Sequence, residues 1–198
     1  HGERTVHTAI RRVPPAHTLA ATPDELCSHQ YWKLNEVEVH PFTSIEEAAE
    51  GFLPVFDEAV KCRMRTQGMV GVTLSGGLDS SLIAALATRL QGTPVSTFAV
   101  GCEIDPIDIK YAAQVAAYIG SDHHEVFFQV DEAVAILDEV IKNLETWDIT
   151  TIRASIGMYI VSKYIRENSP IRVVLTGEIS DELFGYKYTD FAPDAAEF

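Results

Sequence analysis

Between residues 69 and 177 short apolar runs alternate with stretches of helical periodicity, and few folds accept that pattern. The runs are "MVGVTL" (69–74), "PVSTFAV" (94–100), "HHEVFFQV" (123–130) and "IRVVLTG" (171–177). Between them "SSLIAALATRL" (80–90), "DIKYAAQVAAYIG" (108–120, stopped by Gly120), "DEAVAILDEVIKNLE" (131–145, capped by Asp131) and "TIRASIGMYIVSKYIREN" (151–168) repeat their apolar residues as helices do. Such alternation predicts an α/β fold, a mostly parallel sheet with helices on both faces. A further helix is predicted from Ser44 to about Arg65, opened by a capping box of Ser44 and Glu47. Residues 5–40, with Pro14-Pro15 and Tyr31-Trp32, read as one or two short strands and a loop.

Composition narrows the partners. Hydrophobic residues make up 46% and charged ones 22%, which places the chain among globular proteins, and no apolar run approaches a membrane span. A net charge of −14 argues against wholesale binding of nucleic acid or an anionic membrane. A phosphate site here has to rely on backbone N–H groups, a metal and a few placed cations. The three cysteines, Cys27, Cys62 and Cys102, form neither a disulfide framework nor a CxxC site, so a reduced compartment, the cytoplasm, is the default. The opening "HGERTVHTAI" has no signal-peptide layout and no initial methionine, and the expectation is a piece of a longer polypeptide.

In open parallel sheets ligands sit beyond the carboxyl ends of the strands, near a switch in strand order. Two polar clusters occupy such ends, "SGGLDSS" (75–81) and "TGEISDE" (176–182). In the first, Gly76 and Gly77 allow positive φ and bare the backbone, so successive N–H groups can face an anion, while Ser75, Ser80 and Ser81 add hydroxyls. The helix starting near Ser80 contributes its dipole. Asp79 suits phosphate company only through a divalent cation, and Mg²⁺ takes one or two carboxylates together with phosphate oxygens. The lysine of a Walker A loop is missing. The plain alternative is an ordinary Gly-Ser turn.

A strand followed by "SGGLDSS" resembles the pyrophosphate loop of the N-type ATP pyrophosphatases (PP-loop enzymes with the adenine nucleotide alpha hydrolase-like fold). "LETWDITTIRAS" (144–155), "GSDHHEVFF" (120–128) and "TGEISDELFGYKY" (176–188) are similar to the synthetase domain of the glutamine-dependent asparagine synthetase family, which carries "ETYDITTIRAS" and "SGEGSDE". "IRRVPPAHTL" and "YWKL" resemble that family's segment between glutaminase and synthetase. The resemblance implies that residues 1–43 are a linker or the end of an upstream glutaminase-like domain, and 44–198 part of the synthetase domain. It implies a ligase that adenylates the β-carboxylate of aspartate with ATP, releases pyrophosphate, and lets ammonia from glutamine displace AMP. A homodimeric parent stays open.

The same resemblance assigns roles. Ser75, Gly76, Gly77, Ser80 and Ser81 would hold pyrophosphate, and Asp79 and Asp181 would hold Mg²⁺, with an N-cap as the plain alternative for Asp181. Thr73 and Val100 would flank adenine, core packing being the alternative for Val100. Thr176 and Gly177 would lie near the α-phosphate or ribose. Arg153, Thr150 and Thr151 would grip phosphate or carboxylate, the alternative for Arg153 being a surface salt bridge. Glu178 would handle ammonia's proton. His123 and His124 adjoin on a strand, point to opposite faces and read as structural rather than chelating; Cys62 reads as buried packing.

The chain departs from the family at Ile179, where "SGEGSDE" has glycine, at "FGY" (184–186) for "FGGY", and at "TDFAP" (189–193) for "FHKAP". With the family's lysine-bearing continuation also missing, the 198 residues alone are expected to have little synthetase activity. Two other readings stand beside this one: a relative that adenylates another carboxylate, as macrolactam and β-lactam formers do, and a non-catalytic nucleotide-binding module.

Overall fold

The computed structural model describes residues 3–5, 7–33, 42–104 and 106–185. The departures at 186–193 therefore lie outside the described residues. The chain divides into two compact units, 1–50 and 51–198. In the first, β1 (His17–Ala21) and β2 (Leu26–Gln30) form an antiparallel hairpin pairing His17 with Gln30 and Ala21 with Leu26.

Helix α1 (Ile45–Arg63) begins with half of the expected capping box. Glu47 N–H donates to Ser44 Oγ (3.1 Å), but the Glu47 carboxylate reaches past Ser44 to Thr43, accepting from its N–H (2.9 Å) and its hydroxyl (2.6 Å). Cys62 corrects an expectation. It is exposed, because its position turns away from the buried Val60, and its thiol donates to the Ala59 carbonyl of its own helix.

The second unit alternates as predicted: β3 (Val70–Thr73), α2 (Leu78–Gln91), β4 (Ser96–Cys102), α3 (Ile107–Ile119), β5 (Asp122–Phe128), α4 (Val130–Ala135), α5 (Leu137–Leu144), α6 (Ile149–Asn168), β6 (Val173–Leu175) and α7 (Ser180–Phe184). The four strands form a parallel sheet in the order β5-β4-β3-β6. Alternation along each strand sends side chains to two cores. On one face Val70, Val72, Leu74, Val95 and Ala99 pack with Ala84, Ala87, Ala112 and Ala116 of α2 and α3. On the other Phe98 and Val126 pack with Val161 and Ile165 of α6. Both faces of the sheet are covered by helices.

The predicted helix 131–145 is two helices. Gln129, not Asp131, is the N-cap, with Glu132 accepting from its N–H (2.8 Å), and a single turn residue, Ile136 (φ −94°, ψ −2°), separates the two helices. Helix α2 starts at Leu78, so Asp79 and Ser80 lie in its first turn rather than in the loop before it. His123 Nδ1 meets Thr97 Oγ1 (2.9 Å), and burial lowers its pKa; His124 stacks on Phe98, ring centroids 4.9 Å apart. Thr97 and Phe98 face opposite sides of the sheet, so the two histidines cannot chelate one ion.

Candidate nucleotide site

Strands β4 and β5 extend the sheet to one side of β3 and β6 lies on the other, so the direction of winding reverses at β3. A crevice forms beyond the carboxyl end of a strand at such a reversal. Here it is walled by the segment 75–80 after β3 and by 177–182 after β6. Two close approaches draw these segments in. A Cβ on Gly76 (φ +82°) would lie 2.5 Å from the Ala112 backbone nitrogen, so only glycine lets the loop rest on α3. A Cβ on Gly177 would lie 2.7 Å from Ser80 N, so the β6 loop lies directly on the first turn of α2.

The result is a cavity of about 500 Å³. Of the sequence-predicted residues it brings together Thr73, Ser75, Gly77, Asp79, Ser80, Val100, Gly177, Glu178 and Asp181. Gly76, Ser81 and Thr176 are not among the lining residues: Gly76 supports the turn, and the Ser81 hydroxyl is buried without a hydrogen-bond partner. Thr73 ends β3, its hydroxyl donating across to Leu175 O (3.4 Å). Val100 both packs on the Phe98 core and faces the cavity. Asp181 is not an N-cap; Ile179 holds that position, with Asp181 in the first turn of α7.

The loop is closed on itself. Ser75 N–H donates to Ser80 Oγ (3.2 Å), Gly77 N–H donates to Ser75 Oγ (3.3 Å), and the two hydroxyls meet at 2.9 Å. Helix α2 has no side-chain cap, because its N-cap is Gly77. The open first turn of a helix carries unpaired N–H groups and a positive dipole end, both suited to an anion.

Five carboxylates line the cavity, Asp79, Asp108, Glu178, Asp181 and Glu182, and none of the described lining residues is lysine or arginine. A polyphosphate can enter such surroundings only with a cation. Among the described residues no group of three or more His, Cys, Asp or Glu is arranged to hold a metal. Of the five, Asp79 and Asp181 would leave room for substrate oxygens, which fits the sparse protein ligation that Mg²⁺ takes beside phosphates.

Arg153, Thr150 and Thr151 do not line the cavity. Thr151 serves the start of α6, donating through its N–H (3.2 Å) and its hydroxyl (3.0 Å) to Asp148 Oδ2, and Arg153 is exposed. The face of α6 that reaches the cavity is Ala154, Gly157, Met158 and Val161, and Arg153 sits about 100° around the helix from Ala154. Residue-type reasoning missed these positions and Asp108. For the α6 positions the signal was the i, i+3, i+4, i+7 spacing in "ASIGMYIV", which reads equally as core. A second cavity, about 420 Å³, lies at the opposite ends of the strands among Met64, Met69, Val70, Leu90 and Pro94.

The family described as asparagine synthase matches residues 51–197. The chain is 49% identical over 162 residues to the glutamine-hydrolysing asparagine synthetase of Bos taurus, which covers 79% of this chain and 29% of that protein. It is 48% identical over 165 residues to the Homo sapiens protein of the same name, covering 80% and 29%. The chain thus spans under a third of the length of these relatives. Among solved structures a U34-tRNA thiolase from Methanococcus maripaludis is similar over 71% of this chain and 52% of its own, at 18% identity and a TM-score of 0.48. No helix among the described residues is long and apolar enough to cross a membrane.

Proposed function

Because the chain belongs to the asparagine synthase family, we propose that its cavity binds ATP with Mg²⁺ and adenylates the β-carboxylate of aspartate. One observation carries the reading: the loops "SGGLDSS" and "TGEISDE", about a hundred residues apart in sequence, wall a single cavity at the reversal of the sheet.

The cavity has two sides. The apolar one, with Phe98, Val100, Met158 and Val161, suits the flat base of the nucleotide. On the polar one, the open first turn of α2 and the Ser75–Gly77 loop would receive pyrophosphate, the phosphate oxygens replacing the hydroxyls that the loop amides now contact. Asp79 and Asp181 would hold Mg²⁺. Bound there, the ion would offset charge on the phosphates. A carboxylate oxygen of aspartate attacks the α-phosphorus as the bond to the bridging oxygen of pyrophosphate breaks, giving β-aspartyl-AMP. Ammonia then adds to the acyl carbon, AMP leaves, and Glu178 takes a proton from the nitrogen. Fixed donors at the departing oligophosphate and fixed orientation of the two reactants supply the rate gain. In the whole protein a glutaminase domain would deliver the ammonia. The free thiols of Cys27, Cys62 and Cys102 fit a reducing cytoplasm.

A second reading has its own support. Among the described residues no lysine or arginine lines the cavity, Arg153 stands outside it, and Ile179 makes part of its wall apolar, features that suit an acceptor other than aspartate. Aspartate-dependent exchange of labelled pyrophosphate into ATP by the whole protein supports the first reading; exchange driven only by a different carboxylic acid supports the second. For the site itself, calorimetry on the 198-residue chain should show Asp79→Asn weakening MgATP binding by about tenfold or more with the fold intact. Unchanged affinity would remove the metal role of Asp79.

A further inference from the structure

Gly157 stands in the interior of α6, nine residues into a helix that runs Ile149–Asn168, where glycine is disfavoured relative to alanine. Other glycines of this unit are explained by the protein around them. A Cβ on Gly71 would come within 3.0 Å of Phe98 Cε2, one on Gly101 within 2.8 Å of Ile109 Cδ1, and those on Gly76 and Gly177 would strike backbone. Gly157 has no such reason. Its backbone is not in the left-handed region, and the added Cβ would meet only Val100 Cγ1, at 3.4 Å, an ordinary van der Waals contact. A methyl group is therefore tolerated by the protein and would improve the helix. What a methyl group would occupy is the cavity, because Gly157 lines it beside Met158 and across from Val100.

We propose that Gly157 is a specificity-determining residue: its missing side chain keeps open a slot between α6 and Val100 that admits the base of the nucleotide. The inference rests on the ATP reading given above and adds to it the residue that sets the depth of the base slot. The polyphosphate end is bound by other elements, the loop after β3 and the first turn of α2, so the two ends of the ligand can be tested apart.

The experiment compares the 198-residue chain with Gly157→Ala and Gly157→Ser, reading thermal stability and the affinities for MgATP and for magnesium tripolyphosphate, which has no base. For Gly157→Ala the expected Tm is higher by about 2–4 °C, since the helix gains. MgATP should bind about tenfold more weakly or worse, and tripolyphosphate should bind as before. Gly157→Ser should show the same loss of MgATP without the gain in Tm. MgATP affinity unchanged from the wild-type chain in both variants overturns the role of Gly157 while leaving ATP binding in place. Equal weakening of both ligands overturns it too, as does a lower Tm for Gly157→Ala, which would mean that the helix needs glycine for packing. A wild-type chain that takes tripolyphosphate but not MgATP overturns the ATP reading and this inference together.

Discussion

At Ile179 the backbone sits at φ +77°, a region that a branched side chain enters at a cost of about 1–3 kcal/mol. The residue is 62% exposed and recovers little of that cost through burial. Ile179→Gly should therefore stabilise the chain by about 1 kcal/mol, after allowance for the greater freedom of glycine when unfolded, and raise Tm by about 2–4 °C. A thermal melt with unchanged or lower Tm would show that the turn carries no strain. The sequence pointed to this residue through its departure from the family pattern it resembles, and φ supplied the physical reason. Arg153 shows the opposite case. A lone arginine in a polar motif has the chemistry of a ligand, yet its position around α6 decides whether it reaches the cavity, and one residue of rotation sends it to solvent.

Helix α6 is capped by Asp148, whose carboxylate accepts from Thr151 N–H and hydroxyl, bonds that hold its pKa below the usual carboxylate value. A depressed folded-state pKa contributes stability that is complete above the unfolded value and is lost as pH falls through the folded one. Asp148→Asn keeps an acceptor oxygen but does not titrate. In acid melts below about pH 4, the gap in Tm between wild type and variant should narrow as pH falls; a constant gap would deny Asp148 this part. Element positions were largely readable from periodicity, each sheet strand lying within two residues of its expected ends. The break at Ile136 was not. "DEAVAILDEVIKNLE" contains neither glycine nor proline, so nothing local marks the step from α4 to α5.

Across the whole molecule the excess of acidic residues, a net charge of −14, acts against compactness through self-repulsion. Raising NaCl from about 0.01 to 0.15 M shortens the screening length from about 30 to 8 Å and should raise Tm by about 2–4 °C. A melt insensitive to salt would show that the charges are already compensated within the fold. Strand order was the part that local pattern could not deliver. Alternation announced a parallel sheet but not that β6 returns to lie beside β3, and that return is what brings Asp181 to the same cavity as Asp79. It also has a consequence during synthesis. Thr73 and its partner Leu175 are 102 positions apart, and translation at about 5–20 residues per second puts about 5–20 s between their emergence. For that interval the nascent chain carries the serine-glycine loop after β3 without the β6 loop that forms the opposite wall, so the cavity is complete only once β6 has emerged.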